Sequence, residues 1–424
     1  MNSFPDITDP YASFIKTTLL NGLDIHSLHL ADKPWTAVRM IVHAGSRHEP
    51  RTLPGLAHFV EHMVASNLPG KNPEHTIAWF EKTGCGCALG STSFHSTRFG
   101  FRLPNDTRKM TKAFGIFGSM LRQSPLDEHF ERERTVIERE FAKKYPRPIE
   151  LEWSLRASSS VFPGLWLENF SSAIGTLDSI KRIQSSDIRA FYDEFYVPAN
   201  ISIVTVGGMH PDQIAALIEN SPFGTTGVGR RTLLPTQINV LPVVTEPIHE
   251  VSMSEIAKVS FDRARLTLTW SYPSSFPEDA CDLFRDVLND TMFRILRQEH
   301  KVVYSTSQCC TDFQDIGEYS ITLEPKPSEI EKTLGLLHDC IKSAARDRKL
   351  FRQSKLALMR RFAMRDGVSG IDTADCAIGA LATTRRITTL NEDYKLLQGV
   401  RFDQMAEMAG FLTEERAHTF ILRP

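Results

Sequence analysis

The stretch His58-Phe59-Val60-Glu61-His62 constrains this chain more than any other. Wound into an α-helix at about 100° per residue, it puts the two histidines one turn apart on one face with Glu61 beside them. Leu56, Phe59, Val60, Met63 and Val64 make the opposite face apolar. Such a helix buries its back and holds two imidazoles and a carboxylate toward a cleft. A catalytic zinc needs that arrangement, because it takes imidazole nitrogen and carboxylate oxygen in a tetrahedral shell and keeps one position for water. Chance places the pattern in a chain of this length and histidine content roughly once in thirty. A coincidental histidine pair is therefore the lesser reading, and a third ligand has to come from elsewhere.

Residues 130–141 supply candidates. They read as a charged helix with Glu133 and Glu140 two turns apart on one face, and taken alone they would be a solvated surface. On the residues alone Glu138 rivals Glu140. Set beside His58 and His62, the segment Glu133-Arg134-Thr135-Val136-Ile137-Glu138-Arg139-Glu140 resembles the M16 family of metallopeptidases, the insulysin, pitrilysin and mitochondrial processing peptidase group. There the reversed zincin motif His-x-x-Glu-His is followed by a Glu-Arg-x-x-Val-x-x-x-Glu-like segment whose last Glu binds zinc. The resemblance implies Glu140 as the third ligand in preference to Glu138, Glu133 as a supporting acid, and one Zn2+ per chain. It extends through the loop and helix at 42–62 and through 175–180 and 191–201. The family's Asn-Ala-x-Thr edge strand, which pairs with extended substrate, corresponds to Leu89-Gly90-Ser91-Thr92, followed by a matching Thr97. The Asn is lost here. Backbone pairing survives that loss, since it needs only free N–H and C=O groups.

A chain of 424 residues with 41% hydrophobic content predicts more than one domain. The first half opens with an expected hairpin, 13–20 and 23–30 about a type I′ turn at Asn21-Gly22. A strand at 37–42, the helix at 53–66 and a helix at 73–83 stopped by Gly84 follow. A strand at 99–103, helices at 107–121 and 126–144, and a strand at 201–206 complete it. Residues 223–247 shift to Gly, Thr, Pro and Val and read as an interdomain linker. The second half replays the order: strand 264–270, long helix 277–297, strands 302–309 and 318–323, helix 327–345 and strand 418–422. The expected fold class is α+β, with a catalytic domain at 1–222 and a homologous domain at 248–424, each a mainly antiparallel sheet with packed helices. The helix at 277–297 stands where the zinc helix stands but has no His-x-x-Glu-His, so only the first copy is expected to bind metal.

In the second half Arg297 and Tyr304 are by default a solvated Arg and a strand Tyr. The resemblance implies that they match a family pair reaching substrate near zinc, although the usual Gly-Leu-x-Tyr run is here Val302-Val303-Tyr304. With Glu61 as general base and Tyr304 as oxyanion donor, the expected activity is a zinc endopeptidase for short unfolded peptides or a peptide leader. A non-catalytic scaffold or binding subunit is the alternative, and a zinc hydrolase of non-peptide substrates ranks below both. The family's four-domain chambers, with the Arg/Tyr pair serving the opposite half, imply a homodimer with reciprocal sites, or a heterodimer with a related chain. Net charge near zero argues for no nucleic-acid or anionic-membrane partner. The acid-containing start and the lack of a long apolar run predict a cytosolic protein. Seven irregularly spaced cysteines fit reduced thiols. Cys85 and Cys87 read as a turn beside a strand, Cys309 and Cys310 as packing, and His43 and His48 as loop histidines.

Overall fold

Two sheets of the same design organise the chain. In this computed structural model, residues 9–66, 73–83, 87–126, 128–168, 172–225, 227, 229–238, 240–252, 262–363 and 370–424 are described. The opening residues 1–8, Gly84 and Cys85 lie outside them, as do the side chains of Cys87 and Leu89. The first sheet contains β1 Ile15–Thr18, β2 Asp24–His29, β3 Trp35–Val42, β4 Cys87–Thr92, β5 Thr97–Pro104 and β6 Ile201–Gly207. Its order is β1-β2-β6-β3-β5-β4, and only β2 and β6 run parallel. The second contains β7 Ile248–Ser252, β8 Arg265–Pro273, β9 Val303–Asp312, β10 Ile316–Pro325 and β11 His418–Arg423 in the order β7-β11-β8-β10-β9. Only β7 and β11 run parallel there. Laid over one another, β2-β6-β3-β5-β4 and β7-β11-β8-β10-β9 agree strand by strand. The expected duplication is present, and β4 and β9 are matching edge strands.

The helices of the first half are α1 Leu56–Ser66, α2 Pro73–Lys82, α3 Thr107–Arg122, α4 Phe130–Lys144, α5 Pro148–Val161, α6 Leu177–Arg182, α7 Ser185–Phe195 and α8 Pro211–Glu219. Those of the second are α9 Glu278–Met292, α10 Ile330–Ala344, α11 Arg348–Ala363, α12 Gly370–Thr384, α13 Leu390–Gly399 and α14 Asp403–Phe411. The expected single helix at 277–297 is α9 followed by a π-helical run, Phe293–Glu299. β3 and β6 are buried on nearly every residue, which requires cover on both faces. One face packs Val38, Met40 and Val42 with α1 and α3 in the first core. The other packs Ala37, Ile41, Val204 and Val206 with Ala374, Ala377, Ile378 and Leu381 of α12. A helix from the second half thus closes the first sheet, and Arg39 pairs with its Asp375.

Two expectations are corrected. A type I′ turn needs positive φ at both central residues, but here only Gly22 has it, at 86°. Asn21 instead turns inward, where its Nδ2 donates to Phe223 O at 2.7 Å and Thr225 O at 2.9 Å. Cys310 packs against the second core as expected, whereas Cys309 is exposed.

The stretch read as a linker holds no regular element among its described residues after Pro222–Gly224 and is hydrogen-bonded along both halves. Thr232 Oγ1 donates to His43 O at 2.7 Å, and Ile238 N to Asp315 O at 2.7 Å. A largely buried ion pair joins the halves beside it: Arg47, in the loop before α1, meets the buried Asp315 of the β9–β10 turn at 3.0 Å. Arg47 also donates to Phe313 O at 2.8 Å, and Trp166 Nε1 donates to Asp315 at 3.1 Å.

Candidate metal centre

α1 is anchored before it presents any chemistry. Leu56, Ala57, Phe59, Val60, Met63 and Val64 are buried in the first core. Phe59 stacks on Phe130 of α4 with ring centroids 5.1 Å apart and planes at 5°. That stack sets the two helices side by side. The start of α1 has unsatisfied N–H groups, as any helix does, and Glu49 supplies acceptors from the preceding loop. Its carboxylate takes Gly55 N–H at 2.9 Å and Ala57 N–H at 2.8 Å. Gly55 has φ 97°, and a Cβ there would press on Ile174 O at 2.6 Å, so only glycine fits this approach.

His58, His62 and Glu140 converge. Glu140 Oε2 lies 3.7 Å from His58 Nε2 and 3.4 Å from His62 Nε2, and one ligand atom from each residue falls within 4.8 Å of the others. The edge of a tetrahedron with bonds of about 2.05 Å is about 3.3 Å, so this donor set fits a small divalent ion with modest closure. Glu138, two residues earlier, is not part of the group. Among the described residues this is the group of His, Cys and acidic side chains with such spacing.

The surroundings separate the roles. His62 Nδ1 faces Glu133 Oε2 at 3.4 Å, and the Glu133 side chain is 5% exposed. A carboxylate behind an imidazole fixes the tautomer that leaves Nε2 free for metal. Burial opposes protonation of His62, but Glu133, Glu61 and Glu140 outweigh it and raise its pKa. Burial, then His62 and Lys144, push His58 down to about 3, so it is the neutral donor a metal requires. Glu61 is buried beside the cluster rather than within it. Thr92 Oγ1 of β4 donates to its Oε2 at 2.9 Å, and burial raises its carboxyl above 4.5. Gly90 packs on the same carboxylate, and a Cβ at Gly90 would collide with Oε1. The edge Leu89, Gly90, Ser91 and Thr92 thus runs past Glu61, with a register shift between Ala88 and Ser91.

Comparison with known proteins bears on what this cluster belongs to. Residues 25–152 match the family model described as Insulinase (Peptidase family M16), and residues 182–358 match the Peptidase M16 inactive domain. The chain belongs to peptidase family M16. Among M16 relatives, a probable zinc protease PqqL of Haemophilus influenzae is 28% identical over 229 residues, which cover 52% of this chain and 24% of that protein. An uncharacterized zinc protease of Mycobacterium leprae is 21% identical over 79% of this chain and 74% of its own length. Among solved structures, a protease from Helicobacter pylori superposes with TM-score 0.79 at 18% identity, covering 97% of this chain and 99% of that one. The periplasmic protease PqqL from Escherichia coli gives TM-score 0.76 at 17% identity, covering 97% of this chain and 47% of that one. The chain thus spans about a quarter of the first relative and about half of the last.

The expectation of a cytosolic protein is overturned by that comparison, since the E. coli relative is a periplasmic protease. Acidic residues in the opening stretch do not report a compartment. No helix among the described residues is long and apolar enough to cross a membrane.

Arg297 and Tyr304 come together with one another. The Arg297 guanidinium sits 4.8 Å from the Tyr304 ring centroid and 5.3 Å from that of Phe293. Tyr304 is 68% exposed, and neither residue makes a hydrogen bond or ion pair to the cluster. Sequence reasoning missed Glu49 and the contact of Thr92 with Glu61. The only signal for Glu49 was a lone acid between a turn and an uncapped helix.

Proposed function

We propose that this M16 chain is a zinc-dependent endopeptidase acting on short or unfolded peptide segments. One observation carries the proposal: two helix-borne imidazoles and a carboxylate from a second helix sit at tetrahedral spacing beside a buried glutamate. The zinc-protease descriptions of its relatives support the choice of metal. His58, His62 and Glu140 would hold the ion, with Glu133 orienting His62. Zinc in such a shell supplies a Lewis acid that polarises a carbonyl and acidifies water. Glu61 takes the proton of the attacking water on its carboxylate and delivers it to the leaving amine. Its raised pKa suits both halves of that task. β4 is the open edge of its sheet, so an extended peptide pairing with it would lie along Glu61.

The exposed Arg297–Tyr304 pair supports a second element of the proposal, a homodimer in which each pair serves the partner copy's site. The PqqL chain of about twice this length supports the same count of domains. The setting we propose is outside the reducing cytosol.

Cleavage of an unstructured fluorogenic peptide tests the reading. Activity should vanish in chelator, return with zinc, and fall about 10²–10⁴-fold in Glu61→Gln with zinc content unchanged. Full activity of zinc-loaded Glu61→Gln would remove the assigned base. Peptide binding without turnover by the zinc-loaded wild type would favour a scaffold.

A further inference from the structure

Two thiols of the second half face one another in a place the proposed chemistry does not use. Cys281 lies on α9 inside the second core, and Cys310 lies on β9 packed against that core. Their sulfurs are 2.8 Å apart. Non-bonded heavy atoms rest at about 3.5–4.0 Å, and a disulfide bond measures about 2.05 Å. The two sulfurs are thus already closer than a non-bonded contact and within about 0.8 Å of bonding distance. The neighbours hold it there. Tyr272, on β8, contacts Cys281. Its ring lies over Gly317 of β10, in space that any Cβ there would fill, and Tyr272 is itself 4% exposed, so the thiol pair sits under a buried aromatic ring. Cys309, one residue earlier on the strand, is exposed, as strand alternation requires.

We propose that Cys281 and Cys310 form an intramolecular disulfide tying α9 to β9. The bond forms by exchange: one thiolate attacks an external low-molecular-weight or protein disulfide, giving a mixed disulfide, and the second thiol displaces the carrier. The two cysteines give up two electrons and two protons, and the external disulfide is reduced to two thiols. Its contact with Cys281, then burial, raises the Cys310 thiol pKa. Exchange is therefore slow once α9 has docked and belongs to the folding stage, after which the bond is shielded. The loop closed by residues 281 and 310 contains Arg297 and Tyr304. The disulfide would narrow the motion of the two proposed substrate contacts, and this consequence alone rests on the peptidase reading.

The test is covalent and independent of peptidase activity. The full chain is refolded with reduced and oxidised glutathione, unfolded in N-ethylmaleimide, digested and mapped by mass spectrometry. A Cys281–Cys310 linked peptide is expected, with Cys309 and Cys376 alkylated. Reduction with dithiothreitol should lower the unfolding temperature by about 5–10 °C in wild type and leave Cys281→Ser unmoved. Alkylation of both Cys281 and Cys310 after oxidative refolding, or linkage of either to another cysteine, would overturn the proposal. The wild-type map decides the matter even where Cys281→Ser does not fold.

Discussion

His62 has a carboxylate at each ring nitrogen, Glu133 at Nδ1 and Glu140 at Nε2. The two acids differ in setting, Glu133 being buried and Glu140 47% exposed. The first fits an orienting partner and the second a ligand free to close on an ion. Glu133→Gln should therefore weaken zinc binding about 10–100-fold while the fold stays intact, measured by competition with a chromophoric chelator; an unchanged affinity would reduce Glu133 to packing. His58, Glu61 and His62 were readable from helical period alone. The choice of Glu140 over Glu138 rested on the family resemblance together with the face it shares with Glu133: at 100° per residue it sits about 20° from Glu133 around the helix, whereas Glu138 sits about 140° away. Thr92 and Gly90 were named as an edge strand, but their contact with Glu61 joins residues about thirty apart. No local pattern encodes that contact.

At the scale of elements, α1 is only as well placed as its first turn. Glu49 caps it from outside the helix, six and eight residues before the N–H groups it accepts. Capping patterns are local, so this one was invisible in the sequence. Burial pushes the Glu49 carboxyl from 4.5 up to about 8, against the pull of those two N–H groups. A raised folded-state pKa means that its contribution to stability is fully present below pH 4.5 and is lost as pH rises through about 8. Glu49→Gln, neutral throughout, should flatten the dependence of the denaturation midpoint on pH between 6 and 9 and destabilise by about 1 kcal/mol at pH 6. An unaltered slope would show that Glu49 does not titrate in that range. Other elements were hidden for the same reason. α12 is apolar toward a sheet that lies more than 160 residues earlier in the chain. The Asn21 side chain left its hairpin for carbonyls of Phe223 and Thr225, which turn propensities do not include.

On the scale of the whole molecule, strand order made the duplication plain where residue identity did not, because topology outlasts sequence. Arg297 and Tyr304 fall at the same place in the second copy as α1 and β4 do in the first, yet they face solvent. If each pair completes the partner's site, mixing inactive Glu61→Gln with inactive Tyr304→Phe should restore activity. Random exchange gives half heterodimers, each with one intact site, so recovery should approach a quarter of wild type. No recovery after verified exchange would confine each site to one chain. The interlocked sheets and the Arg47–Asp315 pair make each chain a firm frame for such a site. Everything about that site depends on which atoms grip the ion, and the most direct measurement is an anomalous-difference map of zinc-loaded crystals collected at the zinc absorption edge. One peak per chain is expected, about 2.0–2.2 Å from His58 Nε2, His62 Nε2 and a Glu140 oxygen, with Glu61 unligated. A peak held by Glu138 or Glu61 in place of Glu140, or no peak between the two imidazoles, would contradict it.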